Sequence, residues 1–384
     1  MNLFLTRIFQ NNTNYSAKTN QKQNYSYMYN LKNTGKDTFV KSTSQTFKGS
    51  GSKTKAGDVL KELDNITCPY SGVKMISFDK MNKIEHRLDL CRNLSEGIDV
   101  LDKHKQSMQK LEKNIYGKLK DYQRIHPNST ANDYLQSIKP ECLAKLRIEE
   151  FKVLDNIDKL SNKMTPEQAL EIRRITTNAR KQILDDKTDQ VFKRKDLLTD
   201  LAIITKENNN SKLADEIWNT ANKLPKSATN FDAFVVKYAN RSQKEIMARL
   251  LRPSVASIEH ITPKSINPDH TLANFMLTSR DWNSDRGNTP LPEYIKLHPN
   301  IPKYCQRYAN DIIKAIKKDK LKNSDWYPYL LKEKLYNESD GIINVSLKEY
   351  SKPESEAFKN APEEFVEKYN NLKELNKSIP QKDM

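Results

Sequence analysis

Residues 258–290 read I-E-H-I-T-P-K-S (258–265), A-N-F-M-L-T-S-R (273–280) and D-W-N-S-D-R-G-N-T-P (281–290), and they decide the fold. The segment S-V-A-S-I, ending at Glu259 and His260, predicts a first short strand, and residues 274–278 predict a second after a proline-containing loop. Ser279 is placed to cap a following helix and Gly287 to end it. The sequence therefore predicts a hairpin followed by a short helix, with Asn283 facing back toward the hairpin.

The remainder of the chain predicts mostly helix. Apolar residues recur at three- and four-residue steps from Ile84 to Tyr122, which predicts one long amphipathic helix. Thr165 and Ser242 each have the spacing of a helix N-cap. We expect an α+β protein that is predominantly α-helical, in which a long helical arm or bundle accompanies a small hairpin-helix element.

The predicted boundaries follow from composition. Residues 1–56 are rich in Asn, Ser, Thr, Lys and Gln and predict a disordered basic tail. The expected order along the chain is this tail, a knuckle or hairpin at 57–80, helices at 81–251, the hairpin-helix element at 252–300, and C-terminal helices and a tail at 301–384.

Net charge favours a polyanion as partner. The chain has 384 residues, and its 65 Lys and Arg exceed its 49 Asp and Glu by 16. No apolar run is long enough for a membrane span or a secretory signal, so the sequence predicts a cytoplasmic protein with no membrane partner. The four cysteines form no C-x-x-C pair, which argues against a disulfide framework.

The polar residues of the hairpin suit phosphodiester hydrolysis. Glu259 and Asn283 offer the oxygen ligands that Mg²⁺ or Mn²⁺ takes, while substrate phosphate and water complete the coordination sphere. A neutral imidazole at His260 can accept the proton of an attacking water, and Asn274 can hold His260 or its loop in position. Three cationic residues surround this group and can bind a nucleic-acid backbone: Lys264, Arg280 and Arg286.

The same residues carry a resemblance. E-H-I-x-P-x-S, N-F-M-L and R-D-W-N-S-D-R-G-N-x-P resemble the signature of HNH endonucleases, with His260, Asn274 and Asn283 at the three name-giving positions. The resemblance implies a ββα-metal fold and metal-dependent cleavage of DNA. It implies that His260 is the general base and that Glu259 and Asn283 are metal ligands.

Many HNH domains also bind a structural zinc through two C-x-x-C pairs. The resemblance puts those four positions at Cys68, Ser71, Ser279 and Trp282, where only one is a cysteine. Structural zinc is therefore not expected. We expect the knuckle at 66–76 to pack beside the hairpin, with residues 81–251 as an insertion between them.

Two other functions remain open on the sequence. The same site can cleave RNA, because it is built to bind phosphate and contains nothing that reads the sugar. Alternatively, the protein is a non-catalytic nucleic-acid-binding or scaffold protein that keeps the hairpin-helix element. The oligomeric state is not indicated by the sequence.

Overall fold

A computed structural model of the chain describes residues 60, 63–185, 191–206, 211–266, 271–321 and 324–347, together with isolated positions from 350 to 370. The expected disordered tail at 1–56 and most of an expected helix at 353–377 lie outside the described residues. The described part is mostly helical and contains a small two-stranded antiparallel sheet, which confirms a predominantly helical α+β fold.

The chain divides into two compact units. The first, here the hairpin unit, contains the described residues up to Gly72 and those from Ala256 onward. The second, here the helical unit, contains Val73–Val255. The hairpin unit is thus discontinuous in sequence.

The helical unit contains nine of the described helices. They are α1 (Phe78–Asp89), α2 (Leu94–Asp102), α3 (Lys110–Ile125), α4 (Ala131–Ser161), α5 (Pro166–Leu184), α6 (Lys195–Lys206), α7 (Ser211–Ala221), α8 (Phe231–Tyr238) and α9 (Gln243–Arg249). The caps predicted at Thr165 and Ser242 are present: their side chains accept hydrogen bonds from the backbone N–H of Gln168 and Glu245.

The long helix α4 links two apolar clusters of this unit. Its first half contributes Leu135 and Leu146 to a cluster shared with α1, α2, α3, α8 and α9. Its second half contributes Leu154 and Ile157 to a cluster shared with α5, α6 and α7. A helix of 31 residues is about 46 Å long, so one rigid element can serve both clusters.

The single long helix predicted from Ile84 to Tyr122 is wrong. The structure divides this region into α1, α2 and α3. Asn93 begins α2, because its side chain accepts a hydrogen bond from the backbone N–H of Glu96 at 3.0 Å. Apolar residues on all three helices pack into the same cluster, so the helical period continues across the breaks.

The hairpin unit is built on strands β1 (Ala256–His260) and β2 (Phe275–Ser279). They pair antiparallel, with Ala256 opposite Ser279 and His260 opposite Phe275. The described helices that follow are α10 (Arg280–Arg286), α11 (Leu291–Leu297), α12 (Ile301–Lys317) and α13 (Tyr327–Glu338).

Two buried tyrosines connect β2 to the C-terminal helices. The Tyr308 hydroxyl on α12 accepts a hydrogen bond from the Leu277 backbone N–H at 3.0 Å. The Tyr327 hydroxyl on α13 donates to the Phe275 carbonyl at 2.8 Å. These bonds satisfy polar groups of β2 that β1 does not reach, and they fix the hairpin in its unit.

Candidate functional site

Helix α10 follows the hairpin directly and packs on it. Ser279 is its N-cap residue. It ends at Gly287, where φ is +53°, and the Gly287 N–H donates to the Asn283 carbonyl at 3.1 Å. The helix starts and ends where the sequence predicts, but the Ser279 side chain makes no capping hydrogen bond and contacts the Cys68 sulfur instead, so the capping role expected of it is wrong.

Asn283 faces the hairpin. Its amide nitrogen donates to the Ser257 hydroxyl at 2.9 Å and to the Ile258 carbonyl at 3.1 Å. Because a backbone carbonyl can only accept, the group facing it must be the amide nitrogen. The side-chain oxygen of Asn283 is thereby directed away from these two acceptors and is the atom suited to a cation.

Glu259 lies on the same side of β1 and forms a buried ion pair. One carboxylate oxygen accepts from an Arg286 guanidinium nitrogen at 2.7 Å, and Glu259 is 5% exposed. Burial raises the pKa of Glu259 from 4.5 to about 7, although the Arg286 charge acts in the opposite direction. Desolvation of the carboxylate therefore outweighs its attraction to the guanidinium.

Arg286 does not lie on a nucleic-acid-binding surface, which corrects the role expected for it. It is 1% exposed, and its guanidinium donates to Glu259, to the Tyr70 hydroxyl at 2.7 Å, and to backbone carbonyls. Those carbonyls belong to His260, Ile261 and Thr289. With its donors directed at protein acceptors, Arg286 stabilises the end of β1.

Asn274 is completely buried and holds the loop after β1. Its side-chain oxygen accepts from the Thr262 backbone N–H at 2.8 Å, and its nitrogen donates to the Thr262 carbonyl at 3.2 Å. Its own carbonyl accepts from the Ile261 N–H at 2.9 Å. Asn274 thus positions the chain that leaves His260.

His260 is the last residue of β1 and is partly exposed. Side chains alternate between the two sides of a strand, so His260 and Glu259 point to opposite sides of the hairpin. The His260 ring contacts the Phe275 ring edge-on, with centroids 4.7 Å apart. Glu259 and Ser257, which the Asn283 amide contacts, therefore lie on one side of β1, and His260 lies at the strand end on the other.

The other two expected cations are accessible. Lys264 is exposed in the loop after β1, and Arg280 is partly exposed at the first position of α10. Both positions leave their charges available to a polyanion.

Three of the four positions at which HNH domains carry zinc-binding cysteines lie close together: Cys68, Ser71 and Ser279. The Cys68 sulfur lies 3.3 Å from the Ser279 hydroxyl and accepts from the Ser279 N–H at 3.3 Å. The Ser71 N–H also points at this sulfur, at 3.5 Å. Trp282 packs instead on the His298 and Tyr294 rings, with centroids 4.9 and 6.4 Å away. A thiol-hydroxyl contact thus joins the knuckle to the hairpin.

The sequence did not indicate Tyr70 as part of this arrangement. Tyr70 is buried under the Arg286 guanidinium, and burial raises its pKa well above 10. One signal for Arg286 was present in the sequence, because it follows Asn283 by three residues and so shares its helix face. A buried arginine on that face requires an acceptor, and Glu259 is the nearest acid along the hairpin.

Among the described residues, no group of three or more His, Cys, Asp or Glu side chains is arranged to hold a metal ion. No described helix combines the length and apolar character needed to cross a membrane. Comparison of the chain with protein-family models, curated proteins and solved structures gave no match.

Proposed function

We propose that the protein is a metal-dependent HNH-type endonuclease that hydrolyses phosphodiester bonds in DNA. The observation that carries this proposal is the seating of α10 on the hairpin, with the Asn283 amide bonded to β1 beside the buried Glu259 carboxylate. This is the strand-strand-helix order that the resemblance implies. The order of residue types along 259–290 supports the same function, because it matches the signature that the resemblance rests on.

The donor atoms fit a hard divalent cation. The Asn283 side-chain oxygen and a Glu259 carboxylate oxygen would be the two protein ligands, and Mg²⁺ commonly retains water and phosphate ligands in addition. When bound, the metal neutralises charge on the phosphate and on the leaving oxygen. Arg286 occupies only Oε1 of Glu259 in the ion pair, so the carboxylate has a second oxygen to offer.

The remaining residues accept a proton, position the residue that does so, or bind the substrate. His260 accepts the proton of the attacking water at its imidazole. Because its side chain leaves β1 on the side opposite Glu259, the phosphate must lie across the end of the strand, within reach of both residues. Asn274 fixes Ile261 and Thr262, which follow His260 directly, and so limits the directions that the imidazole can take. Lys264 and Arg280 bind the phosphate backbone.

One observation favours a non-catalytic protein as the second candidate. The Arg286 guanidinium holds the Glu259 carboxylate in a buried ion pair at 2.7 Å, so Glu259 has a structural role in the hairpin that does not require catalysis. In that case the hairpin-helix element is a scaffold. The two functions differ in whether phosphodiester bonds are cleaved.

The test is a nicking assay on supercoiled plasmid with the full chain and Mg²⁺ or Mn²⁺. A general base typically contributes about 10²- to 10⁴-fold, so His260→Ala should lower the cleavage rate by at least about 100-fold. His86→Ala is the matched control, because His86 is exposed on α1. Equal rates for His260→Ala and the control, or no cleavage by wild type with either metal, would contradict the proposal. Parallel digestion of tRNA separates a DNA enzyme from an RNA enzyme.

A further inference from the structure

Helix α12 presents a row of cations on its exposed side. Its exposed basic residues, with Lys318 at the C-cap, are Lys303, Arg307, Lys314, Lys317 and Lys318, and we call them the α12 cationic face. At 100° per residue they fall within an arc of about 100°. The other residue in this arc is Asn310, so the face has no apolar member.

The acidic side chain of α12 does not neutralise this face. Asp311 is the one acidic residue between Ile301 and Lys317. Its carboxylate accepts from the Thr67 backbone N–H at 2.9 Å and from the Thr67 hydroxyl at 2.6 Å. Asp311 is therefore used to attach the start of the knuckle to α12.

Helix stability alone does not explain the row. Lys314 and Lys317 lie in the last turn, where cations are favourable to the helix dipole. Lys303 is the third residue of the helix, where a cation is unfavourable for the same reason. The helix dipole therefore does not account for Lys303.

The opposite side of α12 is fixed in the hairpin unit. Cys305, Tyr308 and Ile312 are buried, and Tyr308 is bonded to β2. From Lys303 to Lys318 the row is about 22 Å long, a length over which a DNA duplex carries about a dozen phosphates. A rigidly held row of this length can contact several phosphates of a nucleic-acid backbone.

We propose that the α12 cationic face binds the phosphate backbone of duplex DNA without regard to base sequence. This inference rests on the proposed function, because it names the surface by which the nuclease holds its substrate. The absence of apolar side chains from the arc favours a nucleic acid over a lipid surface, which amphipathic helices bind by inserting apolar residues.

The test measures binding separately from cleavage. Full-length His260→Ala protein is titrated in EDTA against a fluorescein-labelled 24-bp duplex, and anisotropy is recorded from 50 to 200 mM salt. The test variant adds Lys303→Gln, Arg307→Gln, Lys314→Gln and Lys318→Gln. The control variant removes the same charge from exposed lysines of the helical unit: Lys83→Gln, Lys113→Gln, Lys181→Gln and Lys212→Gln.

We expect the test variant to lose at least about tenfold in affinity at 100 mM salt, with a salt slope smaller by about 2 to 4. The control should change affinity by less than about threefold, and circular dichroism should show both variants folded. Equal affinities of the two variants would overturn the inference, as would no binding by the parent. It would also be overturned if the substitutions weakened binding to phosphatidylserine vesicles and left duplex binding unchanged.

The two proposals fail in different ways. If the α12 variant binds weakly but wild type never nicks DNA, the binding surface stands and the nuclease proposal falls. If wild type nicks DNA and the α12 variant binds as tightly as its control, the nuclease stands and the surface is wrong.

Discussion

Arg286 joins three parts of the hairpin unit that are far apart in the sequence. Its guanidinium contacts Tyr70 in the knuckle, Glu259 on β1 and the Thr289 carbonyl beyond α10. A buried guanidinium is stable only when its donors are satisfied. The position of this side chain therefore depends on all three partners at once.

Above pH 7, where Glu259 is ionised, Arg286→Met should destabilise the hairpin unit by about 3 to 5 kcal/mol, because the substitution leaves the Glu259 charge buried without a partner. Urea unfolding followed by Trp282 and Trp326 fluorescence in a Trp218→Phe background reports on this unit. The double variant Arg286→Met/Glu259→Gln should recover part of the loss. Arg280→Met, at a partly exposed position, is the control, and a loss as small as that of the control would refute this role for Arg286.

Glu259 should make the stability of the hairpin unit depend on pH. Its folded-state pKa of about 7 lies above the ordinary value of 4.5, so the folded protein binds the proton more tightly than the unfolded chain does. Stability from this group is therefore present below about pH 4.5 and is lost as the pH rises toward 7.

The measurement is the unfolding free energy in EDTA at pH 5 and pH 7.5 for wild type and Glu259→Gln. The difference, wild type minus variant, should fall by about 1 to 3 kcal/mol between the two pH values. Glu293→Gln removes an exposed carboxyl group from α11 and should show no such change. A difference that stays constant or grows with pH is the opposite of what a raised pKa requires.

At the residue scale, local signals predicted only part of the site. The orientation of Asn283 toward the hairpin followed from the predicted helix ends at Ser279 and Gly287, which are sequence neighbours. The burial of Arg286 was not predictable from local pattern, because its partner Tyr70 lies 216 residues away. The prediction that Arg286 binds phosphate assumed that its side chain is exposed. Exposure is set by tertiary packing, which the local sequence does not determine.

At the element scale, capping residues predicted helix ends more reliably than apolar periodicity predicted helix length. Thr165 and Ser242 each begin a helix as expected and cap it through the side chain, whereas α10 begins after Ser279 without a side-chain capping bond. The apolar period continued through the turns between α1, α2 and α3, because residues on all three pack into one cluster. Periodicity reports which side of a segment is buried and does not report where the chain bends.

Alanine substitutions at Gly287 and Gly117 should change stability in opposite directions, because one glycine ends a helix and the other lies inside one. A Cβ added at either glycine meets no atom within 4 Å, so only backbone conformation decides the effect. Gly287→Ala should destabilise the hairpin unit by about 1 to 3 kcal/mol, because φ is +53°. Gly117→Ala lies inside α3 and should stabilise the helical unit by about 0.5 to 1 kcal/mol.

Trp282 and Trp326 report on the first variant and Trp218 on the second, in urea titrations of the full chain. If Gly287→Ala is neutral, the positive φ does not end α10. If Gly117→Ala is destabilising, α3 is not a regular helix at that position. Circular dichroism at 222 nm should rise slightly in the second variant and not in the first.

At the scale of the whole molecule, the positive charge is concentrated in two regions of the chain. The first 56 residues contribute eight Lys and one Arg against one Asp, which is half of the net charge of +16. The α12 cationic face adds a second basic region, and it lies on a helix whose other side is buried. Charge held on a rigid helix can orient a polyanion relative to β2, which is attached to the same helix through Tyr308.

Removal of divalent metal should separate activity from folding. The four free cysteines do not form one cluster: Cys68 and Cys305 lie near each other in the hairpin unit, and Cys91 and Cys142 belong to the helical unit. Cys68 also contacts the Ser279 hydroxyl. A thiol facing a hydroxyl is a poor zinc site, so the contact between knuckle and hairpin should persist without metal. EDTA should therefore abolish plasmid cleavage and leave the thermal unfolding midpoint unchanged, and added Mg²⁺ should restore cleavage.

Mass spectrometry of the purified protein should find far less than one zinc per chain. A stoichiometric zinc together with a lower midpoint in EDTA would show that a metal, and not the Cys68–Ser279 contact, joins the knuckle to the hairpin.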